Sequence, residues 1–102
     1  MSWTNRMFPR PPSDFDRRVM KVIKSIPKGR VLSYSQVAVR AGKPRGARAV
    51  VAALHRLSGI PWWRVIRADG TLAREVALRQ SAHLLKEGVR LDGRRVLYSR
   101  PP

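Results

Sequence analysis

Residues 33–57 read Ser33-Tyr34-Ser35-Gln36-Val37-Ala38-Val39-Arg40-Ala41-Gly42-Lys43-Pro44-Arg45-Gly46-Ala47-Arg48-Ala49-Val50-Val51-Ala52-Ala53-Leu54-His55-Arg56-Leu57, and this stretch decides the fold. Ser33 with Gln36 three residues later is a capping box, in which each side chain takes the other's backbone N–H, so a helix starts here. Val37, Ala38 and Ala41 supply a short buried stripe and Gly42 is the natural stop. After the connector Gly42-Lys43-Pro44-Arg45, a further helix is expected through Ala47, Val50, Val51, Leu54 and Leu57, ending at Ser58-Gly59. Two short helices across a tight glycine-containing turn read as a helix-turn-helix.

Upstream, Phe15, Val19, Val22, Ile23 and Ile26 recur at helical spacing, with Arg17, Arg18, Lys21 and Lys24 on the other sides. Ser13 caps this helix with Asp16, and Pro27 and Gly29 end it. Residues 1–12 carry Pro9, Pro11 and Pro12 among basic and polar side chains and are expected to form a flexible Pro-rich arm. Downstream, Ile60-Pro61-Trp62-Trp63-Arg64-Val65-Ile66 is apolar and too short for a helix, so an extended strand or ordered loop is expected, followed by the turn Ala68-Asp69-Gly70-Thr71. Residues from Glu75 to about Glu87 return to helical character, with Leu78, Ala82 and Leu85 as the inward face and Gly88 as the stop. Val89, Leu91, an Asp92-Gly93 turn, Val96 and Tyr98 read as a small hairpin. The expectation is one mainly α domain over 13–102, a winged helix-turn-helix with a small C-terminal hairpin.

Charge narrows the partner. Among 102 residues, 22 Lys and Arg face 6 Asp and Glu, a formal net charge of +16. Seventeen of the 22 are Arg, whose planar fork suits phosphates and base edges, so a nucleic acid fits better than a membrane surface. The absence of Cys removes disulfides, thiolate metal sites and cysteine nucleophiles. His55 and His83 are expected on helix surfaces without metal-ligand spacing, so no metal and no cofactor is expected. No apolar run approaches the roughly 20 residues of a membrane helix, and the amino end lacks the apolar stretch of a secretory signal. A cytoplasmic monomer is expected, associated with the nucleoid if the source is bacterial.

Several side chains are candidates for DNA contact. Gly46, Ala47 and Ala49 leave a smooth helix start around one long cation, Arg48, which can either fill the gap left by an extruded base or contact a phosphate. Tyr34, just after the Ser33 cap, can offer its hydroxyl to a phosphate or lie at the core edge. In an extended chain Trp62 and Trp63 point to opposite faces, so one can line a pocket and stack on a base while the other joins the core; both can equally fill the core. Arg64, Arg67 and Arg74 are cations near that wall, with Asp69 and Glu87 the nearest carboxylates, and a buried ion pair is an equal reading for Arg64.

These residues resemble the DNA-binding domain of O6-alkylguanine-DNA alkyltransferases, and more closely the alkyltransferase-like proteins. The resemblance runs from about Phe15 to Val89. It is carried by Ile26-Pro27-Lys28-Gly29, Ser33-Tyr34, Val37-Ala38, Ala41-Gly42-Lys43-Pro44, Arg48-Ala49-Val50, Pro61-Trp62-Trp63-Arg64-Val65-Ile66, Gly70 and Leu84-Leu85-Lys86-Glu87-Gly88-Val89. Where the alkyltransferases read PCHRV and their cysteine accepts the alkyl group, this chain has Trp62 in place of the cysteine and Trp63 in place of the catalytic histidine. Of the hydrogen-bonded relay only Glu87 is kept, which implies a structural role for it and no alkyl transfer.

The resemblance implies a non-enzymatic sensor that binds O6-alkylguanine in duplex DNA through the minor groove. Such a sensor flips the lesion into a pocket without removing the alkyl group and flags it for nucleotide excision repair proteins. It implies DNA contacts from Tyr34, Ala47, Arg48, Ala49 and Val51, with Arg48 as the intercalating finger, Tyr34 rotating the target phosphate and Val51 departing from a frequent glycine. It implies a lesion pocket of Tyr34, Trp62, Trp63, Val65 and Arg74. The rival is a basic winged-helix protein of architectural or regulatory type that binds DNA without lesion preference. A hydrolase or glycosylase is disfavoured because no activated nucleophile or poised acid–base pair is visible in the sequence.

Overall fold

The computed structural model describes residues 12–98; the expected Pro-rich arm of residues 1–12 lies almost wholly outside them. Helix α1 spans Asp14–Lys24 and starts as the sequence dictates: the Ser13 side chain accepts from Asp16 N at 3.0 Å while Asp16 accepts from Ser13 N. Strand β1 (Leu32–Ser33) leads directly into α2 (Tyr34–Arg40), where the Ser33–Gln36 capping box is complete. Helix α3 spans Ala47–Arg56. The turn between α2 and α3 is tight at Gly46, where a Cβ would lie 2.9 Å from the Lys43 carbonyl oxygen. A larger residue would open the angle between the two helices.

Helix α1 holds this pair from behind through two polar ties. Arg18 Nε donates to the carbonyl of Ala41, the C-cap of α2, at 2.7 Å, and Arg56 in the last turn of α3 meets Asp16 at 2.7 Å. Between the helices, Val19, Ile23, Val37, Ala38, Val50 and Ala53 have no exposed surface. Each such Val or Ile contributes about 1.5–3 kcal/mol by leaving water. The alanines let the backbones approach closely.

The second half builds on β2 (Val65–Ile66), which pairs in parallel with β1, Leu32 opposite Val65 and Ser33 opposite Ile66. Helix α4 spans Ala77–Lys86, after a 3-10 turn at Arg74–Val76, and the hairpin of β3 (Arg90–Asp92) and β4 (Arg95–Tyr98) follows. Asp92 pairs with Arg95, so the two-residue loop is Gly93-Arg94 and the expected turn shifts by one position. The hairpin is anchored by Leu72 N to Arg94 O and Val96 N to Gly70 O, over a smaller core of Ile66, Leu72, Leu84 and Val89. The architecture is mainly α, a winged helix-turn-helix with a small C-terminal hairpin.

Two expectations are corrected. Of the extended strand or ordered loop expected over 60–66, Val65–Ile66 is a strand, but Trp62–Arg64 is a 3-10 turn, because Arg64 N closes onto Pro61 O at 3.1 Å. The inward face of α4 is not Leu78, Ala82 and Leu85, all of which are exposed; it is Gln80 and Leu84. Gln80 Nε2 donates to the carbonyls of Trp63 at 3.0 Å and Val65 at 2.8 Å, so a polar residue rather than a leucine fastens this helix to β2.

Candidate nucleic-acid interface

The outward stripe of α3 is Arg48, Val51, Ala52 and His55, all exposed at helical spacing, while Ala47 and Ala49 are half-buried beside it. Arg48 thus stands as a long cation on a surface of small side chains at the start of the helix. Gly46 caps α3 with no side chain, which leaves the first amide groups of that helix unsatisfied by a cap.

The β1–β2 pairing brings distant residues together. Tyr34 follows Ser33, whose partner is Ile66, and so sits beside Arg67 at the carboxyl end of β2. Its ring packs against the main core. Burial raises the phenol's pKa above the ordinary value; the positive charge of Arg67 works against this and the negative charge of Glu75 adds to it. The hydroxyl therefore stays protonated at neutral pH and can donate. Arg74 is exposed in the turn that also carries Glu75.

Trp62 and Trp63 emerge from the 3-10 turn with their rings edge to face, centroids 6.1 Å apart at 81°. Trp62 packs against the main core and Trp63 against the smaller one. His83 of α4 stacks on Trp63 at 4.0 Å and 10°, and the Arg79 guanidinium lies 5.5 Å from the Trp62 ring centre. His83, expected merely on a helix surface, and Arg79, not singled out in the sequence, are the side chains that reasoning missed. The available signal was the row Arg79, Gln80, His83, Leu84 and Glu87, which shares the side of α4 facing the tryptophans.

Beneath this turn, Arg64 and Glu87 form an ion pair at 2.7 Å, with only 11% and 9% of their side chains exposed. Glu87 also accepts from Trp63 Nε1 at 3.0 Å and from the backbone N–H of Gly29 at 3.3 Å, and Arg64 spends another N–H on Ile26 O at 2.7 Å. Gly29 has φ +81°, and a Cβ there would lie 3.1 Å from the Glu87 carbonyl, so glycine lets this turn come close. Burial would raise the Glu87 pKa, but hydrogen bonds from Arg64, Trp63 and Gly29, with the Arg64 charge, hold it below the ordinary value. Both readings left open for Arg64 hold: it closes the ion pair with Glu87, and its guanidinium also lies 5.7 Å from the Trp63 ring centre.

An open hollow of about 750 Å³ is bordered by Lys24, residues 57–60 and the turn from Pro61 to Arg64, with Trp62 and Trp63 on its wall. Tyr34, Val65 and Arg74 do not border it. Val65 has no exposed surface, because β2 runs through the core, so its side chain is not available as a pocket wall. The five residues expected to share a pocket therefore divide into the tryptophan pair at the hollow, Tyr34 and Arg74 near Arg67 and Glu75, and Val65 inside the core.

This helix-turn-helix with a wing and a polar cluster under the Pro61–Arg64 turn matches a defined family. Residues 14–89 match the family described as 6-O-methylguanine DNA methyltransferase, DNA binding domain, and the chain belongs to it. A protein of Escherichia coli (strain K12) named DNA base-flipping protein is 43% identical over 84 residues, which cover 78% of this chain and 65% of that protein. Alkyltransferase-like protein 1 of Schizosaccharomyces pombe is 35% identical over 85 residues, covering 76% of this chain and 79% of that one. The crystal structure of S. pombe Atl1 in complex with damaged DNA containing O6-carboxymethylguanine superposes with a TM-score of 0.74 at 31% identity, over 81% of this chain and 83% of that one.

Proposed function

We propose that this domain binds duplex DNA as a sensor of O6-alkylguanine, flips the lesion from the minor groove and leaves the alkyl group in place. One observation carries the reading: Glu87 accepts from Arg64 and from Trp63 Nε1 under the Pro61–Arg64 turn, and this turn holds Trp62 and Trp63 where the resemblance implies the reacting cysteine and histidine. An indole ring has no thiolate to accept an alkyl group, and its N–H is a donor with no basic lone pair. The relatives' names and the Atl1 complex with damaged DNA support DNA and an alkyl lesion as the ligand.

In this reading Arg48 enters the duplex and occupies the space of the flipped base, while Ala47, Ala49 and Val51 allow α3 close to the sugar edge. Tyr34 donates its hydroxyl to the target phosphate. Trp62 supplies a stacking surface for the extruded base, worth about 1–3 kcal/mol by analogy with single-strand binders. Trp63 holds that surface in place, and Arg74 is a cation at the pocket's rim. The many other Arg residues supply sequence-independent affinity through phosphates. The domain comprises residues 13–102 and acts as a cytoplasmic monomer, with the bound complex handed to nucleotide excision repair proteins.

A second reading, a winged-helix protein that binds undamaged DNA equally well, is favoured by the packing of both tryptophans against the two cores. The experiment that tests the proposal incubates excess protein with a duplex containing O6-methylguanine, separates the complex and quantifies the modified base recovered. Full recovery from a stable complex is expected. Recovered plain guanine, or a free base released into solution, would show an enzyme instead.

A further inference from the structure

Helix α4 turns an apolar row to solvent. Leu78, Ala82 and Leu85, spaced four and three residues apart, all lie on its outer side, with Leu78 88% and Leu85 59% exposed. Scattered exposed leucines are ordinary in soluble proteins, but a row at helical spacing is a patch of the kind that marks contact surfaces. One flank of the row carries Lys86 and Arg79, at positions i+1 of Leu85 and Leu78, with the Arg79 guanidinium reaching from that flank to 5.5 Å from the Trp62 ring centre. Neither meets a carboxylate among the described residues. The opposite side of α4 is already occupied by the Trp62–Arg64 turn, the Arg74–Val76 turn and β3.

We infer that the Leu78–Ala82–Leu85 face docks an amphipathic helix of a partner protein whose apolar stripe is bordered by Asp or Glu. The spacing matches the anchors of helix-in-groove recognition, and the Arg79 and Lys86 edge calls for the opposite charge. Other occupants fit less well. A nucleic acid backbone gains nothing from leucines. A second copy of this chain, meeting its twin across a two-fold axis, would set the Arg79 and Lys86 edges of two chains of charge +16 against each other. A lipid surface would receive two leucines, less than the single acyl chain that alone anchors only marginally. The inference goes beyond DNA recognition: Leu78, Ala82 and Leu85 are not among the residues proposed to contact DNA.

The test uses the full chain at about 0.15 M salt, so that non-specific attraction to its basic surface is screened. The probe is a fluorescent synthetic peptide of about 16 residues with leucines at i, i+4 and i+7 and glutamates beside them, compared with a scrambled version and one with Lys for Glu. The patterned acidic peptide is expected to bind best, and Leu78→Ser with Leu85→Ser is expected to weaken it about ten-fold, as loss of two apolar anchors should. Lys86→Glu is expected to weaken it as well. Duplex DNA binding, measured on the uncharged leucine-pair variant, is expected to be unchanged, which separates failure of this inference from failure of the DNA-binding proposal. Peptide affinity indifferent to the leucine pair would overturn the inference. So would a dimer in sedimentation, or binding to anionic phosphatidylglycerol vesicles, that the same pair of substitutions abolishes.

Discussion

Trp63 donates its indole N–H to Glu87 Oε2 at 3.0 Å, at the position to which the resemblance to the alkyltransferases assigns a histidine base. The same carboxylate closes an ion pair with Arg64 and takes the Gly29 amide, so every partner it has is a donor. Such a site can hold a turn rigid.

Restoring one half of the chemistry is therefore expected to be insufficient. Trp62→Cys supplies a thiol, yet Trp63 still occupies the base's place, and little or no alkyl transfer from O6-methylguanine DNA is expected. Trp62→Cys with Trp63→His sets an imidazole beside Glu87 and is expected to give measurable transfer to the protein, read by mass spectrometry of the cysteine-bearing peptide. Efficient transfer by the single variant would mean that Trp63 is no barrier.

Glu87 and Asp14 offer a contrast in what an ion pair contributes. Glu87→Ala strands the buried Arg64 guanidinium without its counter-charge and is expected to cost about 3–5 kcal/mol in chemical denaturation. The Arg17–Asp14 pair is 63% and 85% exposed, and Asp14→Ala is expected to cost less than about 1 kcal/mol. Similar losses for the two would refute a structural role for the cluster.

Asp16 and Glu87 both contribute to the acid limit of the fold. Asp16 is held below its ordinary pKa chiefly by the hydrogen bond from Arg56, against desolvation and with help from Ser13. Glu87 is lowered as well, because its hydrogen bonds outweigh burial. Both groups bind protons more weakly folded than unfolded, so their stabilisation is complete above the ordinary carboxylate range and is lost as pH falls through the depressed folded values. Urea midpoints are expected to be flat near neutrality and to fall below about pH 4; a midpoint that rises on acidification would contradict the assignment.

Much of this architecture was legible because it is local. The Ser13–Asp16 and Ser33–Gln36 capping boxes, the helix stops and the hairpin follow from residues a few positions apart. The site was less so. The exposed leucines of α4 were read as its core face because the sequence does not show that Gln80 finds two carbonyls in the Trp62–Val65 segment, which only the β1–β2 pairing brings within reach. The stack of His83 on Trp63 has the same origin: twenty residues separate the rings, and the 3-10 turn, unread in the sequence, aims Trp63 at α4.

Arg48 and the other exterior arginines are expected to separate by substrate. Arg48→Ala should weaken binding to an O6-methylguanine duplex more than to an undamaged one, whereas Arg45→Ala should weaken both alike and lower the salt slope by roughly one unit. Filter-binding or anisotropy titrations at several salt concentrations read both effects. Equal losses on the two duplexes for Arg48→Ala would remove the finger from the mechanism.

The central claim is recognition of the lesion itself, and a competition binding titration tests it most directly. One duplex sequence carrying guanine, O6-methylguanine or a bulkier O6-alkylguanine is titrated against a labelled reference at about 0.15 M salt. A clear preference for both alkylated duplexes over guanine is the predicted result; equal affinity for all three would contradict it and leave a general DNA-binding domain.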